Sequence, residues 1–171
     1  MIVFCLVPAA GKGTRFGMPK VDAMLEGSTF SQTIMETLRH TNTHDYLIIR
    51  DIDTPDMLSS IRYGMHKVIY NGTHPDGWLI WPVDHPLVKA ATVNMLIETF
   101  RNYPNSVIIP QYGGKAGHPV IIPASMKIPD GTFSSGLKEI ITLSGVSVHH
   151  IEVDDPAINE NMNTPGDVHY V

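Results

Sequence analysis

The sequence predicts an α/β fold, a three-layer sandwich built around a mostly parallel sheet. Short apolar runs alternate along the chain with segments in which apolar residues recur three and four positions apart. Continuous apolar strands are typical of a sheet that is covered on both faces. Alternation of such strands with helices is typical of parallel strands joined by helical crossovers.

The periodicity assigns each element in turn. The predicted strands are residues 2–7, 46–49, 78–83, 107–109, 120–122 and 146–153. The predicted helices are residues 31–39, 56–68, 92–100 and 137–143. Ser28 or Ser31 is a suitable N-cap for the first helix, and Gly145 follows the last. The strands within residues 107–122 are joined by a glycine-rich connection, which predicts an antiparallel excursion from the sheet, and the tail after residue 153 is predicted to be irregular.

Length and composition limit the class of protein. The chain has 171 residues, 43% hydrophobic and 17% charged, which predicts one globular domain over residues 1–171. A net charge of -5 argues against a nucleic-acid partner. The one cysteine, Cys5, excludes an internal disulfide and is predicted to be a core residue. With no basic leader and no long apolar run, we expect a cytoplasmic protein that has no membrane partner.

The glycine-rich segment 8–20, Pro-Ala-Ala-Gly-Lys-Gly-Thr-Arg-Phe-Gly-Met-Pro-Lys, follows the first strand. Such a loop brings backbone N–H groups up to phosphates, and here it also carries two cations, Arg15 and Lys20. The common NTPase loop is excluded because Gly13 stands where Ser or Thr is needed. The dinucleotide fingerprint is excluded because Gly17 lies one residue too far along, which disfavours a hydride-transfer enzyme. The segment therefore predicts a polyphosphate site of another kind.

Asp84 comes directly after the apolar run 78–83, at the predicted carboxyl end of a strand. Ligands of open α/β sheets bind beyond these ends, so Asp84 should lie near the phosphate loop. Mg²⁺ is commonly held by one or two carboxylates together with phosphate oxygens, which makes Asp84 a candidate metal ligand. The alternative is a carboxylate that caps the following helix. His85 is either a further ligand or a packing residue.

Four motifs together resemble the molybdenum-cofactor nucleotidyltransferases, the cytidylyl- and guanylyltransferases of molybdopterin. They are Ala9-Ala10-Gly11-Lys12-Gly13-Thr14-Arg15-Phe16-Gly17 with Lys20, Val83-Asp84-His85-Pro86-Leu87, Gly117-His118-Pro119-Val120, and Asn161-Met162-Asn163-Thr164-Pro165-Gly166-Asp167. The resemblance implies a Rossmann-like sheet of the nucleotide-diphosphate-sugar transferase type. It also implies Mg²⁺-dependent transfer of a nucleoside monophosphate from an NTP to a phosphorylated acceptor such as molybdopterin, with release of pyrophosphate. The Gly-His-Pro-Val element favours CTP as donor, whereas the Asn-x-Asn-Thr-Pro tail is closer to the guanylyl form.

The resemblance also assigns roles to individual residues. Arg15 would grip the β- and γ-phosphates, and Lys20 would neutralise charge at the α-phosphate. The implied nucleotide-binding residues are Ala9, Ala10, Gly11, Gly13, Ser59 and Ser60. Asp84 would hold Mg²⁺, with Asn163 as a second ligand and Asn161 or Asp167 as rivals for that place. His118 would face the acceptor or steady the loop 113–117.

Two departures from the family pattern leave alternatives open. The stretch between the first helix and Asp84 holds little more than one strand–helix unit, and the tail carries Asn where the cytidylyl form has Asp. These features favour a degenerate nucleotide-binding regulator that lacks catalysis. A sugar-phosphate, polyol-phosphate or phosphocholine-like acceptor is the other alternative. Residues 51–55 imitate the tail motif and are interpreted as a turn and N-cap element. The resemblance further implies a transient contact with a molybdoenzyme.

Overall fold

The computed structural model describes residues 1–9, 22–25, 27–50, 52–131 and 133–162. The strands within these residues are β1 (Val3–Pro8), β2 (Met24–Leu25), β3 (Ser28–Thr29), β4 (Asp45–Ile49), β5 (Gly77–Ile80), β6 (Val107–Tyr112), β7 (Lys115–Ala116), β8 (Val120–Pro123) and β9 (Val148–Glu152). The helices are α1 (Phe30–Leu38), α2 (Met57–Tyr70), α3 (Ala90–Asn102) and α4 (Leu137–Ser144), and a 3₁₀ helix covers Pro156–Asn159. Each predicted element is present, with its ends shifted by a few residues.

The main sheet has seven strands in the order β4-β1-β5-β8-β6-β7, and β9 pairs with β6. Strand β1 is parallel to both β4 and β5, and β9 is parallel to β6. Strand β8 is antiparallel to β5 and to β6, so β6 runs in the same direction as β1. The mostly parallel sheet is confirmed, and the antiparallel excursion is narrower than predicted because it includes only β7 and β8.

Helices cover both faces of the sheet and make the predicted three layers. Alternate residues of β1 point to opposite faces: Cys5 belongs to the cluster with α1 and α3, and Leu6 to the cluster with α2 and α4. Both side chains are fully buried. Burial also raises the pKa of the Cys5 thiol, so the predicted core role of this cysteine is confirmed.

The caps of the first two helices differ from the prediction. Thr29, and neither Ser28 nor Ser31, caps α1: its hydroxyl accepts from the N–H of Gln32 at 3.2 Å, and the Gln32 side chain accepts from the N–H of Thr29 at 2.8 Å. Ser31 lies inside the first turn, where its hydroxyl is 3.0 Å from that of Thr29. Asp56 caps α2, just after the turn predicted for residues 51–55.

Two further expectations bear on the site. One strand–helix unit, β4 and α2, separates α1 from β5, so the predicted shortening of this part of the chain is confirmed. The tail is not wholly irregular, because Asp155 caps the 3₁₀ helix Pro156–Asn159. Among the residues that the structure describes, none of the helices is long and apolar enough to cross a membrane.

Candidate nucleotidyl-transfer site

The site lies where β1, β4 and β5 end. These strands are parallel, so their carboxyl ends meet at one edge of the sheet. The N–H of Ala9 donates to the carbonyl of Ile49 at 2.9 Å, and the N–H of Val83 donates to the carbonyl of Pro8 at 3.5 Å. The segments that follow β1 and β5 therefore leave the sheet side by side. The expected meeting of these two segments is confirmed up to the contact of Val83 with Pro8.

Asp84 lies in the turn that follows β5, with its side chain 18% exposed. Its carbonyl accepts from the N–H of Met162 at 2.8 Å, which ties this turn to the tail of the chain. Helix α3 begins only at Ala90, and its N-cap residue Lys89 makes no side-chain cap bond. Asp84 is therefore not the cap of the following helix, and that alternative is wrong.

Two imidazoles lie beside Asp84. His85 is 5% exposed, its carbonyl accepts from the indole N–H of Trp81 at 2.9 Å, and its Nε2 lies 3.9 Å from Oδ1 of Asp84. The ring of His118 packs against that of His85, with centroids 5.1 Å apart. The turn after β5 and the segment before β8 thus bring together His85 and His118, which are 33 residues apart in sequence.

Burial and, to a smaller extent, the neighbouring His85 lower the pKa of His118 to about 4, although the Asp84 carboxylate acts in the opposite direction. His118 is therefore a neutral imidazole at pH 7. Its Nδ1 atom is buried and has no hydrogen-bond partner among the described residues. A neutral ring can carry either a donor or an acceptor at that atom.

The tail of the chain supports both Asp84 and His118. The carbonyl of Ile158 accepts from the N–H of His118 at 2.9 Å. This approach needs glycine at position 117, since a Cβ there would lie 2.3 Å from the Ile158 oxygen. Sequence reasoning gave no part in the site to Asp155 or Ile158, and it included Met162 in the tail motif without assigning it a role. The only local signal was the pair Asp155-Pro156, which is typical of a turn.

The first turn of α2 uses its hydroxyl groups internally. Ser60 is 2% exposed, its Oγ donates to the carbonyl of Asp56 at 3.2 Å, and it shares a hydrogen bond of 2.6 Å with Thr54. Ser59 is half-buried, and its Oγ accepts from Arg62 at 2.8 Å. A contact of Ser59 or Ser60 with a nucleotide stays a prediction. A side-chain contact of Ser60 would have to displace these bonds, whereas the Ser59 hydroxyl can still donate its hydrogen.

A cavity of about 510 Å³ adjoins His118 on the sheet face that carries α2 and α4. This is within the size range of small-molecule sites. Its apolar lining consists of Met57, Ile109, Ala116, Val120, Leu137, Ile141 and Val148. Its polar side chains are His118, Ser135, Lys138, Thr142 and His150. The ring of His118 thus lies between His85 on one side and this cavity on the other.

A family comparison identifies the kind of protein to which this fold belongs. The family model described as the MobA-like NTP transferase domain matches residues 5–142, most of the chain. The chain belongs to this MobA-like family. The resemblance expected from the motifs is thereby confirmed at the level of the nucleotidyltransferases. No match was found among curated proteins.

Solved structures agree with this MobA-like assignment in fold. Rv0371c from Mycobacterium tuberculosis H37Rv is similar with a TM-score of 0.77, 17% identity and coverage of 98% of this chain and 95% of that one. A crystal structure of Rv0371c in complex with manganese gives a TM-score of 0.67 at 16% identity, covering 90% and 89% of the two chains. The sheet is therefore the Rossmann-like one expected for nucleotidyltransferases.

Two further structures come from proteins with named activities. The 2-C-methyl-D-erythritol 4-phosphate cytidylyltransferase from Thermus thermophilus has a TM-score of 0.74 at 15% identity, covering 98% and 96% of the two chains. Molybdopterin-guanine dinucleotide biosynthesis protein A from Archaeoglobus fulgidus has a TM-score of 0.62 at 18% identity, covering 98% and 95%. The MobA-like fold thus accompanies different bases and different acceptors.

The donor set of this MobA-like site fits a magnesium ion. The described part of the chain contains no group of three or more His, Cys, Asp or Glu side chains that could enclose a metal. Mg²⁺ does not require such a cage, because it is usually held by one or two carboxylates together with water and substrate phosphates. Asp84, partly exposed at the carboxyl edge of the sheet, supplies a carboxylate of this kind.

Six of the predicted site residues lie outside the described residues. They are Ala10, Gly11, Gly13, Arg15, Lys20 and Asn163. Their assignment to the nucleotide and the metal stays a prediction, as does that of the rival ligand Asp167. Of the predicted set, the structure brings Asp84 and His118 together beside His85, and it places Ala9 directly after the strand residue, Pro8, that contacts Val83.

Proposed function

We propose that this protein transfers a nucleoside monophosphate, with CMP favoured, from an NTP to a small phosphorylated acceptor such as molybdopterin, and releases pyrophosphate. The observation that carries the proposal is the position of Asp84, beside the end of β1 and next to His118 and its cavity. We further propose that residues 1–171 form one nucleotidyltransferase domain and that Mg²⁺ is its metal.

The phosphate end of the site is assigned to residues that carry charge or backbone donors. Asp84 would hold Mg²⁺, with Asn163, the residue after Met162, as the second oxygen ligand. When bound, Mg²⁺ would neutralise negative charge on the phosphates. Arg15 would hold the β- and γ-phosphates through its planar fork, and Lys20 would stabilise charge at the α-phosphate. The backbone of Ala9, Ala10, Gly11 and Gly13, with the first turn of α2, would contact the nucleotide.

The chemistry needs positioning more than acid–base catalysis. The acceptor phosphate is already anionic at pH 7, so its oxygen attacks the α-phosphorus of the NTP without a strong general base, and pyrophosphate leaves. Alignment and neutralisation of charge are then the main sources of rate enhancement. Neutral His118 would contact the acceptor, consistent with a ring that cannot serve as a strong base when its pKa is about 4.

The lining of the cavity favours an acceptor with a flat or apolar body. Its floor is formed by side chains such as Ile109, Val120 and Ile141, which offer no hydrogen bonds. A polyhydroxylated acceptor would leave hydroxyl groups without partners on this surface, which costs free energy. Lys138 and Ser135 at the N-terminal end of α4 can meet a phosphate at the rim. The face of a flat ring such as the pterin of molybdopterin can pack on this lining, while the polar groups at its edge would need partners such as Thr142 and His150.

A ligand screen tests the nucleotide half of the proposal. We expect CTP with Mg²⁺ to raise the melting temperature more than GTP, ATP or UTP, because a ligand that binds only the folded state stabilises it by about 2.7 kcal/mol at a hundredfold excess over Kd. Pyrophosphate release from CTP should then require the acceptor and should be lost in Asp84→Ala. Binding without any pyrophosphate release would instead support the regulator.

A pair of tryptophan variants on α4 tests the acceptor half. Thr142 lines the cavity, whereas the neighbouring Leu143 is 69% exposed and does not. Thr142→Trp should raise the KM for molybdopterin at least tenfold and leave the CTP-induced thermal shift unchanged. Leu143→Trp, the matched control, should change neither quantity. Equal KM values in the two variants would remove the acceptor from this cavity.

A further inference from the structure

Residues 153–162, here called the C-terminal strap, run back from β9 to the edge of the sheet where the site lies. The strap is attached to the β6–β7 hairpin by two bonds: the N–H of Val153 donates to the carbonyl of Gln111 at 2.8 Å, and the Asn159 amide donates to the carbonyl of Lys115 at 3.3 Å. Its apolar side chains, including Ile158 and Met162, are buried in the core. The strap is therefore a packed part of the fold.

The strap holds the backbone of both site residues. Its Ile158 carbonyl accepts from the N–H of His118 at 2.9 Å, and its Met162 N–H donates to the carbonyl of Asp84 at 2.8 Å. One short segment thus fixes the candidate metal ligand and the candidate acceptor contact at the same time. A shift of the strap would move both residues.

Asp155 is the buried anchor of the strap. This carboxylate is 1% exposed, and each of its oxygens has a partner. Oδ2 accepts from the N–H of Lys89 at 2.9 Å and from the hydroxyl of Thr92 at 2.7 Å, while Oδ1 accepts from the N–H of Ala157 at 3.3 Å. Asp155 thereby caps α3 from a position 66 residues further along the chain than the N-cap residue Lys89. The side chain of Lys89 itself makes no cap bond.

We propose that Asp155 is a positioning residue for the transfer site, an inference that rests on the proposed function. The segment 84–89 is attached to the strap at both ends, at Asp84 through Met162 and at Lys89 through Asp155. Loss of the Asp155 carboxylate would leave the N–H of Lys89 and the buried hydroxyl of Thr92 without their acceptor. The segment and the strap would then move apart, and a displacement of about 1 Å in a catalytic group can reduce rate by about a hundredfold.

The test compares Asp155→Ala with a control on the same helix. Asn94→Ala also removes two long-range hydrogen bonds of α3. The Asn94 side chain accepts from the N–H of Asn42 and donates to the carbonyl of His40, and neither partner belongs to the strap. Asp155→Asn keeps an acceptor oxygen, and Thr92→Val removes one bond with little change of shape. If Asp155→Ala does not fold, the same measurements are made on these two conservative variants.

The first measurement does not depend on activity. In Asp155→Ala, the backbone amide protons of His118 and Met162 should exchange with solvent at least tenfold faster by NMR. The amide of Trp81, which donates to Leu6 in the sheet, should be unchanged and serves as the internal reference. In Asn94→Ala all three amides should exchange as in the wild type.

The second measurement reports on the site itself. The Kd for Mn²⁺ alone, measured by water proton relaxation, should rise about tenfold in Asp155→Ala, and kcat should fall at least tenfold with little change in the KM for CTP. Asp155→Asn should recover part of each loss, and Asn94→Ala should show none. If Asp155→Ala lowers only the melting temperature, as Asn94→Ala does, the carboxylate is a helix cap and the proposal is wrong.

Failure of the proposed function would look different. A wild-type protein that neither binds Mn²⁺ nor releases pyrophosphate would contradict the assigned activity. The amide exchange rates of His118 and Met162 would still decide whether Asp155 holds the backbone of the two site residues. Unchanged exchange of both amides in Asp155→Ala overturns the positioning role whatever the protein catalyses.

Discussion

The imidazole rings of His85 and His118 pack against each other with their centroids 5.1 Å apart and their planes inclined at 51°. Burial is the main reason that the pKa of His118 falls to about 4, and the nearby His85 contributes. A histidine in the unfolded chain has a pKa of about 6.5. Between about pH 4 and about pH 6.5, residue 118 is therefore mostly protonated in the unfolded chain and mostly neutral in the folded protein.

This difference makes stability depend on pH. As the pH falls from 6.5 towards 4, the unfolded chain gains a proton at residue 118 and the folded protein does not, so the free energy of unfolding decreases. The loss should reach about 3 kcal/mol near pH 4 and should level off within about one pH unit below it. Urea unfolding of the wild type and of His118→Gln between pH 7.5 and 4 measures it. If the two proteins lose the same free energy, His118 does not carry this effect.

Asp84→Asn should weaken the metal dependence of the reaction and leave the fold intact. The substitution removes the charge and keeps the shape of a side chain that is 18% exposed, so stability should change little. The Mg²⁺ concentration that gives half-maximal pyrophosphate release should rise at least tenfold, because a neutral amide is a weaker ligand for a hard cation. Glu98→Gln, an exposed change on α3, is the control. A Mg²⁺ titration that matches the wild type would remove Asp84 from the metal site.

Lys20→Ala should abolish most turnover in a protein that still folds. Lys20 is predicted to neutralise charge that develops at the α-phosphate, an interaction that is strongest in the transition state, so kcat should fall by at least a hundredfold. Lys67→Ala, on α2, removes a lysine that lies over the ring of Tyr63 and outside the site, and its kcat should match the wild type. A Lys20→Ala enzyme with near-normal pyrophosphate release would contradict the assigned role.

Gly117→Ala should destabilise the protein and impair the site together. The added Cβ would meet the backbone oxygen of Ile158 at 2.3 Å, and a backbone atom cannot swing away as a side-chain end can. A loss of about 1 to 3 kcal/mol is expected from this overpacking. Gly72→Ala is the comparison, since its Cβ meets open space and only the strain of a φ of +91° remains. Activity at a temperature where both variants are folded should fall in Gly117→Ala alone.

Much of the architecture could be predicted because it depends on local pattern. The apolar run at residues 2–7 became β1, and the periodic segment 56–68 became most of α2. The failures were also local: Ser28 and Ser31 are as suitable for a cap as Thr29, and only the bond pair with Gln32 distinguishes them. Asp84 could be placed at the sheet edge because parallel strands align their carboxyl ends.

By itself the sequence determined the α/β class and the nucleotidyltransferase family, since apolar periodicity and contiguous motifs are properties of neighbouring residues. Only the tertiary structure decided that Asp155 caps α3, that His118 lies against His85 and that the strap holds Asp84. Each of these relationships joins residues from distant parts of the chain, such as Lys89 and Asp155, 66 positions apart. Their partners are chosen by packing and by the need to satisfy buried polar groups, which no local pattern encodes.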